Sequence, residues 1–371
     1  MSTMLTAFAR GLKTEGAFDV LEVARKLKAQ GKDVIELQIG DSPFPSTRSA
    51  IESGIQAIRD GQTHYGPSPG LPSLRQTIAE TVGREFGIRV GPENVIVGPG
   101  AKVFEQLFCE AFLEPGDAAL IFSPAFPTYL PNVQRRGAEP YIVPLRAEHQ
   151  FRPDVGEVER FVKCHPTAKA IILNSPHNPT GGVATTEDLA AIAEVIRGRN
   201  IAVFSDEPYC HMVWQGKHAS LLTEPGMLKQ CVAAYTFSKS YSMSGWRLGY
   251  ALADAPVIEA MGKMVNTTLS CTPPFVQLAG EAALKHDAAE RDEVMTRFQR
   301  KVELLVAELR KVEGVKVRMP AATFYVFPDV SALCQRLGLT SHGLALYLLE
   351  GADDRKGVGF PRLVTCYVVV E

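Results

Sequence analysis

Apolar residues along this chain gather in short clusters separated by polar turns. Val95-Ile96-Val97 precedes Gly98-Pro99-Gly100, after which apolar residues recur at helical spacing from 101 to 112. Leu113-Glu114-Pro115-Gly116-Asp117 stops that helix. Residues 118–122 form a second strand-like run ending at Ser123-Pro124. Residues 170–173 precede Asn174, 201–204 precede Ser205-Asp206, and 232–237 precede Ser238-Lys239. Between them, 186–197 has helical spacing, with Thr185 or Thr186 as cap and Glu187-Asp188 in the first turn. Short apolar strands alternating with helices predict an α/β fold, a doubly wound and mostly parallel sheet with helices on both faces.

A long helical pattern then runs from about 287 to 312, with Val294, Phe298, Val302, Leu305 and Leu309 at three- and four-residue spacing. Residues 315–317 and 324–327 read as strands of a smaller α/β unit. The expected organisation is an N-terminal arm or part of the small domain (1–40), a large domain (41–285) and a small C-terminal domain (286–371).

Composition narrows this picture modestly. The 371 residues are 46% hydrophobic and 22% charged, as in ordinary globular chains. A net charge of −2 gives no basis for nucleic acid or anionic membrane as partner. No apolar run approaches the ~18 residues of a membrane-spanning helix. The start, MSTMLTAFARGLKTEG, lacks a signal-peptide core. Seven scattered cysteines without a C-x-x-C pair read as reduced thiols of a cytoplasmic protein. H-E-x-x-H and Cys/His clusters are absent from the sequence, so no metal is expected.

The candidate chemistry lies at strand ends, where open parallel sheets bind ligands. Gly98-Pro99-Gly100-Ala101-Lys102 is a turn between strand and helix, suited to an anion, although alone it also reads as an ordinary turn. It matches neither G-x-G-x-x-G nor a Walker A loop. Asn174-Ser175-Pro176-His177-Asn178-Pro179-Thr180-Gly181-Gly182 is a rigid loop with two amide side chains. Asp206 at the end of a buried strand wants a cation or donors, whereas Glu207 points elsewhere. Lys239 follows an apolar strand, and desolvation lowers a lysine pKa and frees the amine for imine formation. Nearby hydroxyls and Arg247 could hold a phosphate. Together these are the parts needed to hold pyridoxal phosphate.

The motifs HYGPSPGLPSLR, GPGAK, SPAFPTY, NSPHNPTGG, SDEPY, SKSYSMSGWRLGY and TFYVFPD together resemble the class I/II aminotransferases, fold type I pyridoxal phosphate enzymes, from about residue 37 to 349. The resemblance implies that Lys239 is the catalytic lysine, joined to pyridoxal 5'-phosphate as an imine. It implies Asp206 as partner of the pyridine nitrogen, Asn178 and Tyr209 as donors to the ring hydroxyl, and Phe126 as the ring-stacking aromatic. It gives Gly100, Ala101, Lys102, Thr236, Ser238 and Arg247 as phosphate ligands. Tyr65 would reach the phosphate of a neighbouring subunit, implying a homodimer with shared sites. Gly40 would lie near the substrate carboxylate, and Asn178 would also contact the substrate. Lys102 also stands where some aspartate/prephenate-type members hold a distal carboxylate, a pointer to an acidic substrate, although many relatives with other substrates share a similar GAK turn.

The chain departs from the family pattern after residue 349. No R-x-S strand and no terminal helix are evident, and Arg362 is the nearest candidate for binding the α-carboxylate. The C-terminus is expected to be some tens of residues short, with α-carboxylate affinity reduced accordingly. Two alternatives to an amino-acid:2-oxo-acid aminotransferase stay open at this point. One is a β-lyase or synthase on the same fold, since fold does not decide reaction. The other is a protein of this fold with impaired catalysis.

Overall fold

The computed structural model describes residues 4–12, 16–351 and 363–364. It divides into two compact units, one of residues 41–301 and 320–324, the other of residues 1–40, 302–319 and 325–371. In chain order the described strands are β1 (Val34–Ile35), β2 (Val95–Gly98), β3 (Ala118–Ser123), β4 (Glu139–Pro144), β5 (Ala168–Asn174), β6 (Ala202–Asp206), β7 (Cys231–Thr236), β8 (Gly249–Leu252) and β9 (Leu363–Val364).

In the larger unit β2 to β8 form one sheet in the order β2-β8-β7-β6-β5-β3-β4. Neighbours are parallel except for β8, which runs antiparallel to both β2 and β7. The mostly parallel α/β sheet read from the sequence is therefore present. Its strands alternate between two cores, as the two-residue period of a strand requires. Leu120, Phe122, Ile171, Leu173, Val203 and Ala233 enter one core, and Ala119, Ile121, Ala170, Ile172, Phe204 and Ala234 the other. Helices Pro72–Phe86, Val155–Cys164, Thr186–Ile196 and Pro274–His286 contribute to the first core. Helices Lys102–Phe112, Tyr129–Arg135 and Ala255–Thr268 contribute to the second.

The strand order brings the candidate residues to one edge of the sheet. Asn174 and Asp206 are register partners at the ends of β5 and β6. Gly249 pairs with Gly98 on one side and Thr236 on the other, so the ends of β2 and β7 flank the start of β8. Glycine is required at 249, because a Cβ there would lie 2.7 Å from the Gly100 carbonyl carbon and 2.9 Å from the Ala101 nitrogen.

Local signals held at the helix ends. Thr185 caps helix Thr186–Ile196 through a capping box, its hydroxyl accepting from the Asp188 N–H at 3.2 Å and its own N–H donating to Asp188 Oδ2 at 2.9 Å. The long helix is Ala288–Leu309. Residues 315–317 and 324–327 differ from expectation, since neither forms a strand: Lys316 makes a single bridge with Asp329, and Ala322, just before the second segment, makes one with Val213. Thr323 has φ +66°, which breaks the extended path, and Pro320 and Pro328 flank the segment without N–H donors. Residues 321 and 323 bond instead to residues 212–215, with the Thr323 N–H donating to the Met212 carbonyl at 2.7 Å.

In the smaller unit, β1 and β9 pair in parallel, Val34 with Leu363 and Ile35 with Val364. Val20, Ala24, Val34 and Leu349 form a small buried cluster. No helix among the described residues is long and apolar enough to cross a membrane.

One packing prediction follows for the larger unit. A Cβ at Gly280, within helix Pro274–His286, would fall 2.2 Å from Leu248 Cδ2 and 3.2 Å from the Phe237 ring. Gly280→Ala is expected to destabilise the chain by about 1–3 kcal/mol through overpacking, measured by urea unfolding. An unchanged midpoint would contradict this packing.

Candidate functional site

Lys239 sits on a single helical turn, Phe237–Ser240, directly after β7. Thr236 caps that turn, accepting from the Ser238 N–H at 3.2 Å while its hydroxyl donates to Ser238 Oγ at 2.9 Å. The Lys239 Nζ lies 5.9 Å from the Tyr209 ring centre and 5.5 Å from that of Phe324. Burial pushes its ammonium down to about 8; Arg247 and Lys102 push the same way, and Asp41 and Asp206 oppose them.

Asp206 ends β6 and is buried. Its Oδ2 accepts a hydrogen bond from the Tyr129 hydroxyl at 2.5 Å. Burial raises its carboxyl to about 7, Glu207 adding to the rise while the Tyr129 bond and Lys239 oppose it. A cation brought against this carboxylate would favour the ionised form. Glu207 turns away into its own buried cluster, accepting from Ser205 at 2.7 Å, Ser220 at 2.8 Å and Tyr235 at 2.5 Å, and contacting His218 Nε2 at 2.8 Å. The two adjacent acids thus have separate environments, as the sequence suggested.

The glycine turn forms a cradle against Arg247. Gly100 has φ +87°, and a Cβ there would come within 2.5 Å of the guanidinium. Arg247 donates to the Pro99 carbonyl at 3.1 Å and the Ser244 carbonyl at 3.0 Å. Helix Lys102–Phe112 starts at Ala101 without a side-chain cap, so its dipole faces this turn. The Lys102 Nζ lies 5.0 Å above the centre of the Phe126 ring. Phe126 in turn meets Tyr129 edge-on, 5.8 Å between ring centres.

The two asparagines have different tasks. Asn174 builds the loop, donating to the Asp206 carbonyl at 2.8 Å and accepting from the Asn178 N–H at 2.8 Å. Asn178 is buried, and its carboxamide has no hydrogen-bond partner among the described residues. His177 bonds Thr180 through Nδ1 at 2.8 Å, and burial pushes it down to about 4, so it is neutral near pH 7.

Thus Lys239, Asp206, Asn178, Tyr209, Phe126, Thr236, Ser238, Arg247 and the 100–102 turn all belong to the larger unit. Gly40 belongs to the smaller one, Tyr65 is 89% exposed, and Arg362 lies outside the described residues. Two residues were not singled out from the sequence. Tyr129, the Asp206 partner, closes the SPAFPTY motif, so its signal was present. Phe324, beside Lys239, opens the aromatic run of TFYVFPD.

The chain matches the family of class I and II aminotransferases over residues 32–352. It is 34% identical to an aspartate aminotransferase of Pyrococcus horikoshii over 94% of this chain and 88% of the relative. It is 35% identical to a probable aspartate/prephenate aminotransferase of Aquifex aeolicus, over 92% of this chain and 87% of that one. Its fold is similar to that of the Thermus thermophilus aspartate aminotransferase solved with maleate, with TM-score 0.83 and 31% identity over 89% of this chain and 86% of that one. The chain belongs to the class I and II aminotransferases, and amino-group transfer is its class of chemistry. The lyase alternative is not favoured.

Proposed function

We propose that this chain is a pyridoxal-phosphate-dependent aminotransferase that moves the amino group of an acidic amino acid to a 2-oxo acid. The observation that carries this reading is the meeting, at one sheet edge, of a pKa-lowered lysine, a buried carboxylate and a glycine–arginine cradle. The residues fit the cofactor. Gly100 leaves the Arg247 guanidinium accessible to a phosphate, Asn178 has an unpartnered carboxamide, and Asp206 is a buried carboxylate suited to a protonated ring nitrogen. When bound, pyridoxal phosphate supplies an aldehyde for the amine and an electron-accepting ring.

This chain's residues supply the rest. Lys239 would hold the aldehyde and then, once substrate amine replaces it, carry the proton from the substrate α-carbon. Its lowered pKa leaves it partly neutral near pH 7, as proton transfer requires. Asp206, fixed by Tyr129, would keep the ring nitrogen protonated. Asn178 and Tyr209 would hold the ring hydroxyl, and Phe126 would cover the ring face. Thr236, Ser238, Arg247 and the turn of Gly100, Ala101 and Lys102 would hold the phosphate. Tyr65 would complete the phosphate site of a second copy, making the working unit a homodimer. Gly40 and Arg362 are assigned to the substrate carboxylate. The six described free cysteines accord with a cytoplasmic location.

Lys102 and the names of the aspartate-type relatives support an acidic substrate. Lys102→Ala is expected to raise KM for aspartate about 10–100-fold, the worth of one charge-assisted hydrogen bond, with little change for alanine. Steady-state kinetics with both amino acids check this. Equal effects on the two would assign Lys102 to the phosphate alone.

A further inference from the structure

The Lys239 turn spans only Phe237–Ser240, too short to be stable by itself. Its N-terminal end is held by the Thr236 cap. Its C-terminal end is held by something the reaction does not use. Ser240 is buried, and its Oγ lies 2.8 Å from His211 Nδ1. The other ring nitrogen, Nε2, lies 2.8 Å from Glu85 Oε2. Arg291 Nη1 donates to both Glu85 oxygens at 2.9 and 3.2 Å and to the Tyr241 hydroxyl at 3.3 Å.

Proton roles follow from charge. Burial pushes the Glu85 carboxyl up, but the His211 bond and the Arg291 charge outweigh it and hold Glu85 down to about 2. Glu85 is therefore a carboxylate and only accepts. Burial, seconded by Arg291 and His218 and opposed by Glu85, lowers His211 and keeps it neutral near pH 7. Its Nε2 then carries the proton toward Glu85, and Nδ1 accepts from the Ser240 hydroxyl. Arg291 Nη1, 2.9 Å from Nε2, is a second donor converging on the same carboxylate. Cys210 Sγ also lies 3.4 Å from Nδ1, and burial pushes its thiol well above the usual range, so it stays protonated. The serine–histidine–acid order matches that of a nucleophile triad, but Ser240 is only 2% exposed, so no substrate reaches it.

His211 lies with Tyr209 on the turn that follows Asp206 at the end of β6, and Ser240 adjoins Lys239. We propose that Glu85, His211 and Arg291 form a positioning array that fixes the Lys239 turn, through Ser240, against the turn that bears Tyr209 and follows Asp206. This rests on the cofactor reading above, with Lys239 as the reacting amine. The array ties together helix Pro72–Phe86, both turns and helix Ala288–Leu309. Such indirect support sets how precisely a reacting group is held, and small misplacement costs rate more than binding.

The test uses the full-length chain as wild type, Ser240→Ala, His211→Leu and His211→Asn. Neither Ser240→Ala nor the His211 variants remove the Arg291–Glu85 pair, so a folded protein is expected. Ser240→Ala and His211→Leu should lower kcat about tenfold while KM stays within about twofold. His211→Asn, whose Oδ1 can accept from Ser240, should recover most of that loss. A second readout needs no cofactor. In the cofactor-stripped chain, labelling of Lys239 by trinitrobenzenesulfonate is followed against pH by peptide mass mapping. Asp41, Asp206, Arg247 and Lys102 surround the amine and are unchanged in every variant. A loosened turn admits water, so the labelling midpoint should rise by about half a unit or more. A lowered Tm with unaltered kcat and labelling midpoint would overturn the proposal and leave the array merely structural. A wild-type chain that binds no pyridoxal phosphate on Lys239 would sink the cofactor reading separately, while the labelling midpoint would still report on the array.

Discussion

Lys239→Ala is expected to lower kcat for transamination about 10⁴-fold, near the upper end for losing a group proposed both as positioned acid–base group and as covalent anchor. The geometry offers no substitute. Lys102 stands over Phe126, and Arg247 is engaged with the Pro99 and Ser244 carbonyls. Phosphate contacts remain in the variant, so it should still bind cofactor but release it on dialysis. The wild-type chain also carries a pH signature. With the amine lowered to about 8, cofactor capture should speed up as pH rises through that value and level off above it. At pH 7 about one molecule in ten then has a neutral amine, against about one in three thousand for an ordinary lysine. Stopped-flow mixing of the stripped chain with cofactor measures this. A midpoint near the ordinary lysine value would contradict the burial argument.

Asp206→Asn is expected to lower kcat by about 10²–10³-fold, the range for removing one preorganised electrostatic group. The amide keeps the shape and can still meet Tyr129, so loss of fold is not the cause. What disappears is the negative charge that the proposed pairing with a protonated ring nitrogen requires. The Tyr129 bond at 2.5 Å favours the ionised carboxylate against the burial that raises it. Cofactor affinity and kcat, measured together, separate charge from packing. A variant with kcat within about threefold of wild type would show that this carboxylate does not act on the ring.

Much of this was legible along the chain, and the reason is physical. Parallel strands buried on both faces are apolar runs, so the polar residue that ends each run marks the ligand edge. Asn174, Asp206 and Lys239 were singled out as candidates that way. Gly100 was legible because only a residue without Cβ tolerates φ +87° beside a guanidinium. What was missed depends on long-range pairing. β4 carries Pro140 and Pro144, which an edge strand tolerates but which disguise the strand pattern. β8 begins with Gly249, and its antiparallel direction is set by its neighbours. Residues 324–327 carry a strand's composition, but the positive φ at Thr323 and the absence of a continuous partner leave them irregular. Glu85, His211 and Arg291 lie far apart in sequence, and only the fold brings them behind Ser240.

The central claim is that Lys239 is the amine to which the cofactor is attached. The direct measurement is borohydride reduction of the cofactor-loaded chain, followed by peptide mass mapping. The expected result is one pyridoxyl-phosphate adduct per chain, on the peptide containing Lys239. Full cofactor occupancy with Lys239 unmodified would contradict the account.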